Sequence, residues 1–121
     1  MTRTVLIVDD SASIREMVAF TLREAGFSVL EGCHGADALE KLASQKADII
    51  ITDLNMPVMD GIAFIKEVRS RANSKYTPVL MLTTESQLEK KQAGKAAGAT
   101  GWIVKPFHPG KLLEVIAKVL P

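Results

Sequence analysis

Two adjacent aspartates, Asp9 and Asp10, follow the aliphatic run 5-VLIV-8. Side-by-side carboxylates repel, and at the end of a buried strand that costs stability unless something positive sits there. A third acid, Asp53, follows 48-DIIIT-52. Thr83, Thr84 and Glu85 follow 79-VLML-82, and Lys105 follows 101-GWIV-104. Carboxylates drawn together either take up a proton or share a hard cation. Mg²⁺ (or Mn²⁺) suits such oxygen ligands and is often held by one or two carboxylates plus a phosphate. The Thr83 hydroxyl and the Lys105 ammonium suit a group that gains negative oxygens. A cation on one side and Lys105 on the other can hold the oxygens of a transferring phosphoryl group. A lone threonine or lysine at a strand end carries little weight, whereas the combination on three strands is specific.

The elements that must position these residues are legible in the apolar pattern. Runs at 5–8, 27–30, 48–52, 79–82 and 101–104 recur at regular spacing, and all but the second are nearly uninterrupted, as in strands covered on both faces. Between them lie helical periods. Ile14, Met17, Val18, Thr21, Leu22 and Ala25 mark one apolar stripe over 11–25. Ser13 with Glu16 fits a capping box, and Ser11 could equally cap that first turn. Further helices are expected at 35–44, 61–70, 87–97 and 110–120, with Ser86 and Glu89 opening the fourth. The result is an α/β, flavodoxin-like, doubly wound (βα)5 fold with a parallel sheet. Only 31-EGCHGAD-37 follows the second strand, so that strand is placed outside the first, in order 2-1-3-4-5. The switch point then falls between the first and third strands, beyond their carboxyl ends, where ligands bind in such sheets.

Composition excludes several classes. Fifteen Lys and Arg against fourteen Asp and Glu leave a net charge of +1, without the basic excess of a general nucleic-acid binder. No apolar run approaches the ~20 residues of a membrane span, and residues 1–10 lack a signal-peptide pattern. A cytoplasmic, monomeric protein is the expectation. Cys33 is alone, so neither an intrachain disulfide nor a cysteine metal cluster is available. His34 and His108 lack a nucleophile to pair with and read as surface or capping residues.

Asp9-Asp10, Asp53 with 56-MP-57 and 60-DG-61, Thr83 and 105-KPF-107 resemble the signature of response-regulator receiver domains, in order and spacing. The resemblance covers essentially the whole chain, 1–121, and no output domain is expected. Asn55 and Glu85 add a likeness to the single-domain chemotaxis regulators of the CheY type. It implies that Asp53 accepts a phosphoryl group from a phosphohistidine on a partner kinase of the CheA type. It also implies Mg²⁺ on Asp10, Asp53 and the Asn55 backbone carbonyl, with Asp9 acting mainly through water. Thr83 and Lys105 would contact the phosphoryl oxygens, and Lys105–Pro106 would be cis. A downstream protein such as a flagellar motor switch would read the result.

One departure stands out. Trp102 occupies a position that is usually Tyr or Phe, whose ring is expected to move inward when Thr83 is drawn toward the phosphoryl group. Asn55 and Glu85 are expected to tune the phosphoryl lifetime. The 87–97 helix, with Ala93, Ala96 and Ala97 inward and Gly94 inside it, is expected to be loosely held. Lys90, Lys91, Lys95, Lys111 and Lys118 would make the adjoining face basic and suited to an acidic partner. A phosphate sink or relay receiver would share this site. An aspartyl-phosphate phosphatase of the haloacid-dehalogenase type normally carries D-x-D after its first strand, not D-D. A flavodoxin-like cofactor carrier needs a less acidic first loop, and the intact site argues against a degenerate receiver.

Overall fold

A computed structural model describes residues 2–84 and 89–120. Five strands form one parallel sheet: β1 (Thr4–Val8), β2 (Ser28–Gly32), β3 (Ile49–Asp53), β4 (Val79–Thr84) and β5 (Gly101–Lys105). Their order is β2-β1-β3-β4-β5, as the strand-end residues imply. The helices alternate with them: α1 (Ala12–Glu24), α2 (Gly35–Ser44), α3 (Gly61–Ser70), α4 (Lys90–Ala97) and α5 (Pro109–Val119).

The central strands are buried on both faces because the helices form two layers. On one face Leu6, Ile50 and Met81 meet Leu39, Leu42, Phe64 and Val68 of α2 and α3. On the other, Val5, Ile7, Ile51 and Leu80 meet Val18 and Leu22 of α1 and Leu112 and Ile116 of α5. Alternate residues of each strand therefore feed opposite clusters, which is why β1 and β3 read as continuous apolar runs.

Local chemistry sets the helix ends. Of the two serines that could cap α1, Ser11 does so, its Oγ accepting from the Ile14 N–H at 3.4 Å. The His34 side chain caps α2, Nδ1 accepting from the Asp37 N–H at 3.1 Å. Asp60 caps α3, its Oδ1 accepting from the Ala63 N–H at 2.8 Å. Gly98, at φ 116°, closes α4 in the left-handed region that favours glycine.

Two expectations are corrected. Strands β3, β4 and β5 run one or two residues further than their apolar runs, so Asp53 and Lys105 are the last residues of their strands and Thr83 the last but one, rather than following them. The inward residues of α4 are Gly94 and Ala97, whereas Ala93 and Ala96 are exposed. The cause lies beneath the helix, where a Cβ on Gly94 would overlap Met81 Sδ and lie 2.6 Å from its Cε. Gly94 is the point of closest approach between helix and sheet. The expected capping residue Ser86 and positions 87–88 of the predicted helix lie outside the described residues.

Candidate functional site

Asp9 continues from β1, its N–H donating to the Gly32 carbonyl at 3.1 Å. The side chain is fully buried. Oδ1 accepts from the Ser11 N–H at 2.9 Å, and Arg15 Nη1 donates to the Asp9 carbonyl at 2.7 Å. Oδ2 has no hydrogen-bond partner and lies 3.5 Å from Lys105 Nζ. Burial holds the Asp9 carboxyl above the usual carboxylate range, against the Ser11 amide, which favours the anion. The Asp53 charge pushes the same way as burial, and Lys105 opposes it.

Asp53 closes β3 in register with Leu82 and is 7% exposed. Its Oδ1 accepts from the Leu54 N–H at 2.9 Å and from Lys105 Nζ at 3.3 Å. Gly61 is needed behind it: a Cβ there would overlap the Asp53 carbonyl and lie 2.8 Å from Leu54 Cα. The Gly61 N–H instead donates to the Leu54 carbonyl at 2.9 Å. The start of α3 is thereby seated directly against the backbone that carries Asp53.

Asp10 is exposed at the mouth. One carboxylate oxygen from each of Asp9, Asp10 and Asp53 falls within 4.8 Å of the others. An all-oxygen set with one buried, hydrogen-bond-free acceptor fits a hard divalent cation better than it fits three bare charges. Lys105, at the end of β5, neutralises only part of that charge. It contacts both Asp9 and Asp53, and the following Lys105–Pro106 bond is cis, as the resemblance implies. Thr83 lies on β4 in register with Val104, fully buried, with no hydrogen-bond partner for Oγ1 among the described residues. An orphaned buried hydroxyl at the same strand edge is a donor in search of an acceptor.

The remaining predicted residues sit further out. Asn55 lies in the loop after β3, and its Oδ1 accepts from Lys90 Nζ at 3.3 Å. Trp102 pairs with Met81 across β4 and β5 and lies half-buried against the α2–α3 face. Its ring lies under Lys91 Nζ, 4.2 Å from the centroid, and Lys95 Nζ, at 5.8 Å. Lys111 and Lys118 both face Glu114, at 4.0 and 3.5 Å. One acid, Glu114, thus faces two of the five lysines of the expected basic face, while Lys90, Lys91 and Lys95 meet a neutral amide and an aromatic ring. Glu85 lies outside the described residues.

Three features had no expectation attached to them. Val58 adopts φ 68° within a three-residue turn closed by Met59 N–H to the Pro57 carbonyl at 2.7 Å. Positive φ is unusual for a β-branched side chain, and nothing in 56-MPVMDG-61 signals it. Arg69 ties α3 to the C-cap of α4: Nη2 donates to the Gly98 carbonyl at 2.8 Å and Nη1 to the Thr77 carbonyl at 2.6 Å. The third is the Lys90–Asn55 contact.

The profile of the response regulator receiver domain matches residues 5–117. The chain belongs to that family. Among receiver-family relatives, the chemotaxis protein CheY1 of Helicobacter pylori is 42% identical over 117 residues, covering 95% of this chain and 94% of that one. The chemotaxis protein CheY-3 of Vibrio cholerae is 40% identical over 116 residues, covering 95% and 89%. The solved structure of the chemotaxis response regulator CheY4 of Vibrio cholerae superposes with a TM-score of 0.94 at 53% identity, covering 99% and 100%. The receiver fold of this chain is therefore shared with CheY-named proteins along nearly its whole length. No described helix is long and apolar enough to cross a membrane.

Proposed function

We propose that this receiver domain is a phospho-accepting regulator, with Asp53 as the acceptor. The observation that carries this reading is the convergence on one ammonium: Lys105 Nζ lies 3.3 Å from Asp53 and 3.5 Å from the buried Asp9. An Asp53 oxygen attacks the phosphorus of a phosphohistidine on a partner histidine kinase. The new O–P bond forms as the P–N bond breaks, and the imidazole leaves with the electron pair and takes up a proton. Asp10, Asp53 and the Asn55 carbonyl would hold Mg²⁺, with Asp9 acting mainly through water. The cation supplies neutralisation of the acids and of the charge on the phosphoryl oxygens. Lys105 gives up part of its contact with Asp53 to pair with a phosphoryl oxygen. Thr83 Oγ1, without a partner before transfer, gains one in a second phosphoryl oxygen, which draws β4 toward Asp53. Trp102, which pairs with Met81 two residues before Thr83 on β4, is the residue whose packing would register that displacement. Asn55 and Glu85 tune the lifetime of the acyl phosphate.

The protein on this reading is a regulator and not a turnover enzyme. The names of its CheY relatives support a chemotaxis setting; on this reading the protein acts in the cytoplasm, in chemotaxis or motility, with a CheA-type kinase upstream. A flagellar-motor component is the proposed downstream partner. Incubation with acetyl phosphate and Mg²⁺ should add the mass of one phosphoryl group, located to Asp53 by peptide mass spectrometry and absent in Asp53→Asn. No adduct in the parent protein, or an equal adduct in the variant, would overturn the assignment.

A further inference from the structure

The acidic site opens beside a cavity of about 590 Å³ between the loop after β3 and the start of α4, lined among others by Asp10, Asn55, Met56, Ile62 and Lys90. Among the described residues one polar contact spans it: Lys90 Nζ donates to Asn55 Oδ1 at 3.3 Å. The direction in which Lys90 points is fixed by the helix beneath it. Lys90 and Gly94 are one turn apart on the same face of α4. Gly94 is held against Met81, and the position its Cβ would take lies 3.8 Å from Ile62 Cδ1. Helical side chains lean toward the N-terminus, which carries the Lys90 arm outward over the loop that holds Asn55. Lys91 and Lys95, also one turn apart, form the neighbouring stripe over Trp102. A single short helix therefore touches the site loop with one lysine and Trp102 with two others.

We propose that Lys90 is a positioning residue of the phosphoryl site. By holding the Asn55 carboxamide across the mouth of this cavity, it slows hydrolysis of the acyl phosphate. In that hydrolysis a water oxygen attacks phosphorus and the Asp53 O–P bond breaks. The carboxylate leaves with the electron pair, and the water proton passes to the phosphate released. Asn55 lies two residues beyond Asp53 and lines this cavity together with Asp10, beside the acid that would carry the phosphoryl group. With its oxygen engaged by Lys90, it cannot swing clear or turn that oxygen toward an incoming water. The bridge is exposed and single, so its effect is a modest one on rate.

This inference rests on the reading of Asp53 as the acceptor, and the test separates the two. The parent protein, Lys90→Ala, Lys90→Arg, Asn55→Ala and the Lys90→Ala/Asn55→Ala double variant are phosphorylated with acetyl phosphate and Mg²⁺. The donor is then removed, and the phosphorylated fraction is followed by intact mass. Lys90→Ala should lose its phosphoryl group about two- to five-fold faster, in keeping with the modest worth of one exposed hydrogen bond. Lys90→Arg keeps a donor of similar reach and should decay at close to the parent rate. In the Asn55→Ala background, Lys90→Ala should have no further effect. Lys90→Gln, whose shorter arm does not span the gap, serves as a second bridge-breaking variant should Lys90→Ala fold poorly. A parent that takes up no phosphoryl group sinks the functional reading itself. A phosphorylated parent with Lys90→Ala decaying at the same rate, or with equal acceleration in both backgrounds, overturns the role of Lys90 alone.

Discussion

Asp9 shows what the site costs in the absence of a cation. It is fully buried with one oxygen satisfied by the Ser11 amide and the other only in ion-pair reach of Lys105. An unsatisfied buried acceptor costs about 1–3 kcal/mol, and here it faces the Asp53 charge as well. Replacing Asp9 by Asn removes the charge and keeps an oxygen for Ser11. The metal-free Asp9→Asn protein should therefore be more stable than the parent, by on the order of 1 kcal/mol. Mg²⁺ should narrow or reverse that difference, because the variant has one fewer charge with which to hold it. Urea melts with and without Mg²⁺ check both halves, and equal stability of the two proteins without metal would contradict the argument. Arg15, whose guanidinium reaches the Asp9 carbonyl at 2.7 Å and Glu31 at 3.3 Å, shows how the backbone at this acid is held while its side chain is left short of partners. The Val58 turn is a second local cost beside the same site, and backbone strain of this kind tends to gather where function constrains the chain.

At the scale of the element, the join between β3 and α3 decides whether Asp53 is correctly presented. A Cβ at Gly61 would meet backbone atoms of Asp53 and Leu54, which cannot rotate away as a side chain could. Gly61→Ala should destabilise the fold by about 1–3 kcal/mol, as overpacking does, despite the gain in helix propensity. It should also weaken Mg²⁺ binding measured by titration of Trp102 fluorescence. A variant as stable as the parent would show that the join can yield. The sequence carries the dipeptide 60-DG-61 as a signature but not the contact that requires it. The same division runs through the elements. The strands are legible because both faces are covered, which makes their runs continuous. Their ends are not, because Asp53, Thr83 and Lys105 extend the pairing with polar residues that hydropathy reads as loop. The three acids, Thr83 and Lys105 are legible as a site because each stands at a strand end on the same edge. Lys90 is not, because its value depends on the rotation of α4, and that rotation depends on Gly94 meeting Met81 from a different strand. Gly94 read alone is a helix weakener; over Met81 it is what lets the helix sit down. Arg69 escapes notice for the same reason, since its carbonyl partners are Ser74, Lys75, Thr77 and Gly98.

Across the whole molecule, the sheet divides two unequal helical layers. Alpha1 drives Val18 and Leu22, both fully buried, into the face it shares with α5. Helix α4 buries only Gly94 and Ala97. At ~25 cal/mol per Å² of apolar surface, burial of an alanine and a glycine offers far less than burial of valine and leucine. What holds α4 instead is peripheral: Arg69 at its C-cap, Lys91 and Lys95 over Trp102, and Lys90 on Asn55. A helix so held can be displaced by small energies, and its Lys90 and Lys91 contacts join it to the loop after β3 and to β5. Native-state hydrogen exchange should therefore show amides of 90–97 opening at free energies well below the global value, with those of 12–24 close to it. Addition of beryllofluoride with Mg²⁺ should change protection in α4 more than in α1, because the Asn55 and Trp102 contacts both end on α4. Equal protection of the two helices in the unmodified protein would show that the peripheral contacts hold α4 as firmly as a buried core does. The short helix could then no longer serve as the element through which the site moves the rest of the molecule.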